Sequence, residues 1–345
     1  MAHLILTVDY ELFGNGTGCV DHCMLGPAER MMRIAERYSA PVTFFTEVLE
    51  LMAMERGQDA QAEAVKIQLR DVLRRGHDAQ LHLHPQWDGA KLGSDEDWAL
   101  NMKLWRIGDL PYDDIYRILS EAKSWLLHVA QPIKSDYQCL AFRAGGWCIQ
   151  PSKHVLKALR NLEFDIESTV APGFRNANKG EWSDFRVVPD MPFWKVDQDV
   201  CRAVDDGLWE LPIVTGNIGP VAHLNSLLQS RRSAESGLAP GCEGSYQGPE
   251  GRIQALRGKI SKLLRLGHVM LDFSSMPAAV LIQLTQQWMK RFQSASCPVP
   301  LVAISHTKNF TPRSEAALDE YLDWVKGEGI DFSTFGQWIG AAGHE

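Results

Sequence analysis

The chain has 345 residues, 45% of them hydrophobic and 23% charged; it exceeds a minimal module, can bury a sizeable core and is not disordered as a whole. Its 35 Lys and Arg against 43 Asp and Glu give a net charge of -8 at pH 7, which argues against attraction to phosphate backbones or anionic lipid, so no nucleic-acid partner is expected. No apolar run approaches the ~18 to 20 residues of a membrane span. The opening residues lack a basic leader and run straight into a strand pattern, so the expectation is a cytoplasmic protein without membrane insertion. An odd number of cysteines, 7, scattered along the chain, fits a reducing compartment better than a disulfide framework.

In chain order, Leu4 to Val8 is an apolar, β-branched run of the kind buried on both faces of a sheet, and it ends in Asp9-Tyr10-Glu11. Pro27 opens an amphipathic helix through Tyr38, and Pro41 to Phe45 reads as the next buried strand. A helix over Ala60 to Arg75 is stopped by Gly76, and Ala79 to His84 is extended up to Pro85. A helix across Tyr112 to Val129, a strand at Cys139 to Arg143, a helix after Pro151 and a strand around Phe164 to Glu167 continue the alternation. Further strands are expected at Leu208 to Val214, Val269 to Phe273 and Leu301 to Ser305, with helices over Ala278 to Phe292 and Ser314 to Val325. The pattern predicts an α/β fold, a distorted barrel of about seven parallel strands, with a doubly wound open sheet as the fallback. Residues 1–345 read as one domain, and the Ser-, Gly- and Pro-rich segment from Ser230 to Arg252 as a loop or lid.

In a parallel barrel the strand C-termini converge on one mouth, and the reactive residues of this chain concentrate there. Asp9 and Glu11 follow the first strand, His82 and His84 end the third, Arg143 and Trp147 follow the Cys139 strand, Glu167 the next, and His306 the last. The two-residue spacing of His82 and His84 puts both imidazoles on one strand face, near enough to share a metal ion with a carboxylate. Asp9 and Glu11 have the same spacing, so one can bind metal while the other handles protons. Each element also has a plainer reading. An Asx turn accounts for Asp9, an ion pair for Arg143, core packing for Trp147, solvation for Glu167 and a structural turn for Asp272. Their coincidence at neighbouring strand ends favours a site.

Taken together the motifs resemble those of the polysaccharide deacetylases, carbohydrate esterase family 4, which share a distorted (β/α) barrel. Thr7-Val8-Asp9-Tyr10-Glu11 resembles the first motif of the family and Gly76 to Pro85, with His82 and His84, the second. Phe142 to Trp147 resembles the third, Asp165 to Thr169 the fourth and Ile304 to Thr307 the fifth. The resemblance implies that Asp9 is the general base, His306 the general acid, and that Arg143 orients Asp9 while Glu167 holds Arg143. It further implies that Glu11, His82 and His84 bind Zn2+ or a similar divalent ion such as Co2+, Mn2+ or Ni2+, and that Tyr10 and Trp147 contact substrate. Two departures stand out: Tyr10 separates what are commonly adjacent acidic residues, and the usual second histidine position holds Gln86, leaving His84 or Gln86 to complete the metal site.

Amide hydrolysis needs a strong nucleophile, which a bound cation supplies by lowering the pKa of water toward ~7, and a proton for the leaving amine. The expectation is therefore an N-deacetylase acting on an N-acetylated saccharide, a cytoplasmic precursor in polysaccharide biosynthesis. The alternatives are an amidohydrolase of a small non-sugar amide or ureide, and a non-catalytic carbohydrate-binding protein on a degenerate barrel. The sequence does not fix the oligomeric state.

Overall fold

The computed structural model describes residues 2–93, 97–177, 181–219 and 268–342. The expected loop from Ser230 to Arg252 lies outside them. Nine strands form one sheet: β1 (Ala2–Tyr10), β2 (Val42–Glu47), β3 (Asp78–Leu83), β4 (Ala141–Ala144), β5 (Ile166–Glu167), β6 (Trp194–Val196), β7 (Leu208–Glu210), β8 (Val299–Ala303) and β9 (Asp331–Phe332). Their spatial order is β6-β7-β5-β4-β3-β2-β1-β8, with β9 beside the first residues of β1. All pairings are parallel except β6 with β7. Past β7 the chain donates from Ile213 to Val170 O (2.8 Å) and from Val214 to Val302 O (3.0 Å), and Ile213 bridges Val302 in parallel. The sheet thus curls until single bridges join its two sides, a distorted barrel.

Helices α1 (Gly26–Glu36), α2 (Val48–Arg56), α3 (Gln61–Arg74), α4 (Tyr112–Ala130), α5 (Lys153–Asn161), α6 (Ala278–Arg291), α7 (Pro312–Gly327) and α8 (Phe335–Ala342) follow the strands. The local chemistry that ends and begins them is ordinary. Gly76 takes a positive φ of 85° just after α3, and α7 starts with a Thr311/Ser314 capping box and Pro312 in its first turn. None of the described helices is long and apolar enough to cross a membrane.

Strand alternation decides what the barrel interior contains. The register aligns Asp9 with Phe45 and Gln80, and Glu47 with His82 and Arg143, so these side chains share the inner face while Val8, Phe44, Leu81 and Phe142 share the outer one. At the opposite end, β9 and α8 tuck beneath the strands. Ser333 N donates to Leu4 O, Trp338 Nε1 donates to Pro298 O (3.0 Å), Phe335 stacks edge-on to Phe45 at 5.6 Å, and Trp338 packs against Phe193 and Trp209. The floor of the barrel is therefore aromatic and its mouth is polar.

The sequence anticipated most of this order, but β9 and the following elements differ. Val269 to Phe273 is not a strand of the nine-stranded sheet: His268–Met270 pairs antiparallel with Thr215–Asn217, and beyond it Leu271 donates to Val214 O (2.8 Å) and Asp272 bridges Ile304 in parallel. The short helices α2 and α8 and the antiparallel β6 carried too few periodic positions to be read. Trp338 is fully buried in α8, so Trp338→Ala is expected to cost ~3 to 5 kcal/mol in urea unfolding. A cost under about 1 kcal/mol would mean that α8 is an appendage and not the floor of the barrel.

Candidate active site

The centre of the mouth is Arg143. Its side chain is fully buried, and burying a guanidinium is tolerable only when its donors are met. Nη1 donates to Asp9 Oδ1 at 2.8 Å and to Thr7 Oγ1 at 2.9 Å, Nε donates to Ser168 O at 2.9 Å, and the guanidinium carbon lies 4.2 Å from the centre of the Phe45 ring. Burial alone would raise the Asp9 carboxyl. Arg143, with His82 and His306, outweighs it and holds Asp9 below its ordinary value. The other oxygen, Oδ2, lies 3.5 Å from His306 Nε2, and His306 stands edge-on to Trp147.

Beside this pair lies a second cluster. His82 Nδ1 sits 3.0 Å from the carbonyl of Arg143, an acceptor, so Nδ1 carries a proton and Nε2 is the nitrogen that faces the cleft. That Nε2 is buried without a hydrogen-bond partner among the described residues, 3.6 Å from Glu11 Oε2. His84 Nδ1 lies 3.2 Å from the same Glu11 oxygen and 2.8 Å from Glu47 Oε2. Lys308 Nζ donates to Glu11 Oε1 at 2.7 Å and to Leu12 O at 3.0 Å. Burial opposes ionisation of Glu11, but Lys308, His84 and His82 prevail and hold it well below the usual carboxylate range. Without such a cation alongside, burial pushes Glu47 up to about 8 despite its hydrogen bond from His84, and pushes Glu50 well above the carboxylate range.

The chain that follows β4 is shaped to this cluster. A Cβ on Gly145 would meet the His84 ring at 2.4 Å, so only glycine lets the ring lie there. Gly146 and Trp147 then take positive φ of 59° and 57°, which turns the Trp147 ring toward the opening. The cleft above is about 270 Å³, lined by Asp9, Glu11, His82, His84, Trp105, Trp147, His306 and Lys308 among others. His82 and His84 nitrogens with Glu11 and Glu47 oxygens lie within 4.8 Å of one another. A buried imidazole whose Nε2 has no hydrogen-bond partner among the described residues, a second imidazole and carboxylate oxygen form a donor set that fits a divalent transition metal.

No protein-family model and no curated protein sequence matches the chain. Among solved structures, it is similar to a protein from Mycobacterium smegmatis assigned as a polysaccharide deacetylase, at 16% identity over 99% of this chain and 90% of that one, with a TM-score of 0.54. It is also similar to the 4-alpha-glucanotransferase of Thermococcus litoralis, at 12% identity over 98% of this chain and 40% of that one, with a TM-score of 0.51. The chain has the barrel of the polysaccharide deacetylases. Two neighbours with different activities on one fold leave the chemistry to be argued from the site.

Asp9, Glu11, His82, His84, Arg143, Trp147 and His306 all meet at the mouth, as their strand-end positions led us to expect. Three expectations differ from the structure. Tyr10 alternates with Asp9 and Glu11, so it points out of the barrel, where its hydroxyl donates to Gln68 of α3 at 2.6 Å. Glu167 aligns with Phe142, not with Arg143, and its carboxylate accepts from Thr169; Ser168, one residue on, holds Arg143 in its place. Gln86 Nε2 donates to Gly14 O, away from the imidazoles, so His84 and not Gln86 sits in the cluster. Asp272 takes its plainer reading, accepting from Ser274 and Ser275 in a turn.

Glu47, Lys308 and Trp105 were missed. For Glu47 the signal was available, since it too is an acidic residue at a strand end, but β2 was expected to stop at Phe45. Lys308 and Trp105 come from irregular segments with no such cue.

Glu167 instead lies beside Glu210 on the outer face of β5 and β7, both fully buried. Burial raises both carboxyls, and the neighbouring Glu167 carboxylate drives Glu210 well above the usual range. A carboxyl raised on folding contributes stability that is complete below the unfolded value of about 4.3 and is lost as pH climbs through the folded value. Glu210→Gln keeps the shape and removes the charge. Its stability in urea is expected to fall less than that of the wild type as the pH rises above the ordinary glutamate value of about 4.3, and parallel curves would contradict the pairing.

Proposed function

We propose that this protein is a metal-dependent N-deacetylase that removes acetyl from an N-acetylated sugar, working on the barrel it shares with the polysaccharide deacetylases. The observation that carries this reading is the buried Nε2 of His82, without a hydrogen-bond partner among the described residues and 3.6 Å from Glu11 Oε2, next to the Arg143-held carboxylate of Asp9. Glu11, His82 and His84 would hold the cation. When bound, a divalent ion there supplies Lewis acidity and a water acidic enough to be deprotonated near neutral pH.

The protein's own groups supply the proton handling. Arg143 keeps Asp9 ionised and fixes its orientation through Oδ1, which leaves Oδ2 as the acceptor for the proton of the attacking water. His306 Nε2, 3.5 Å from that oxygen, donates to the departing nitrogen so that the amine leaves neutral. The net reaction consumes one water and yields acetate and a free amine. Base and acid stand side by side and not across the cleft, so a proton gained at Asp9 lies close to the atom that delivers one.

Trp147 and Trp105 give the cleft aromatic walls suited to a sugar face. The substrate we propose is the N-acetylated sugar of a nucleotide- or lipid-linked polysaccharide precursor in the cytoplasm.

Acetate release from N-acetylated monosaccharides and nucleotide sugars tests the reading. Chelation is expected to abolish it, and Asp9→Asn and His306→Ala to lower kcat by ~10² to 10⁴-fold with folding intact. Undiminished release in Asp9→Asn removes the base from its role. Turnover of small amides or ureides alone would favour the amidohydrolase, and sugar binding without turnover or metal uptake the binding protein.

A further inference from the structure

We propose that Glu47 is a fourth protein ligand of the cation, so that the site is built from two imidazoles and two carboxylates. This rests on the hydrolase reading above and extends it to the coordination and identity of the ion.

Three observations carry it. Glu47 is fully buried on the inner face of the barrel in register with His82, and its Oε2 faces the same small volume as Glu11 Oε2, His82 Nε2 and His84 Nδ1. The two oxygens of Glu47 are divided between tasks. Oε1 accepts from Leu49 N at 3.2 Å and caps α2, while Oε2 lies 2.8 Å from His84 Nδ1. Glutamate is not among the favoured capping residues; a shorter side chain caps as well but leaves no second oxygen at the imidazole. Lys308 binds Glu11 Oε1, which confines Glu11 to donating through Oε2 alone and leaves room for another carboxylate.

The Asp9, Glu11 and His306 grouping, the rival cation position, shares Glu11 but has Arg143 on Asp9 and Lys308 on Glu11. Two permanent cations there oppose a second divalent one. Glu47 faces no such cation among the described residues.

The consequence concerns which metal works. Four protein donors complete a tetrahedral shell, the geometry zinc prefers, and leave no position for chemistry. An ion that accepts five or six donors, such as Co2+ or Mn2+, holds all four and keeps open positions toward Asp9 and His306. The site is thus suited to an ion of higher coordination number than tetrahedral zinc.

Crystals of the full chain grown with Co2+ decide the matter by anomalous scattering. The expected result is a peak bonded to one oxygen each of Glu11 and Glu47 and to both imidazoles, at about 2.0 to 2.2 Å. A peak bonded to Glu11, His82 and His84, with Glu47 only hydrogen-bonded to His84, overturns the fourth ligand and spares the hydrolase. No peak in excess Co2+ overturns both. In solution, Glu47→Gln keeps an oxygen for the α2 cap, and its fold is checked by thermal unfolding. Its visible Co2+ d–d band is expected to change, because a ligand atom of the ion is altered. An unchanged band overturns the proposal, whatever happens to the affinity, since loss of the hydrogen bond to His84 alone weakens binding.

Discussion

Arg143 is the constraint on which the mouth depends. A guanidinium enclosed by a barrel must have its charge balanced and its donors occupied, and the partners that do so come from widely separated parts of the chain: Thr7 and Asp9 from β1, Ser168 just after β5, Phe45 beneath. Those contacts tie both sides of the curled sheet to one side chain. They also leave Asp9 with one satisfied oxygen and one facing the cleft. The same residue that makes the interior tolerable thereby prepares the base, and its own carbonyl accepts from His82 Nδ1.

Much of this was legible because strand ends are legible. Apolar, β-branched runs that stop at a charged residue mark the C-terminal edge of a parallel strand, and the edges of one barrel share a mouth. That reasoning located Asp9, Glu11, His82, His84, Arg143 and His306. What it did not control was parity within a short strand. β5 has only two paired residues, so nothing in the sequence said whether Glu167 or Ser168 faces inward, and an acidic residue was preferred to a serine. Tyr10 failed for the same reason in a clearer setting: placing Asp9 and Glu11 inward already puts the residue between them outward.

The misses outside the strands have another origin. Lys308 reaches Glu11 across almost the entire length of the chain, and Trp105 reaches His84 from a segment of short turns. Contacts of that kind depend on how irregular backbone returns over the barrel, which no periodicity encodes. Gly145 lies between the two cases. It stood in a recognised motif, but the reason for glycine there, the His84 ring against its Cα, is visible only once the ring has been placed.

The charges at the mouth explain why the site divides into two halves. Four buried carboxyls, those of Asp9, Glu11, Glu47 and Glu50, face two permanent cations, Arg143 and Lys308. Asp9 and Glu11, each touching a cation, are held low; Glu47 and Glu50, which do not, are pushed up by burial. Ionisation therefore stops where the positive charge runs out, and protons make up the remainder. A divalent ion seated among His82, His84, Glu11 and Glu47 would bring the charge those protons supply, so its binding releases protons and weakens as the pH falls. The half of the site around Asp9 and His306 needs no such exchange, because Arg143 already balances it. That separation lets one half take up an ion while the other stays ready to accept and return a proton.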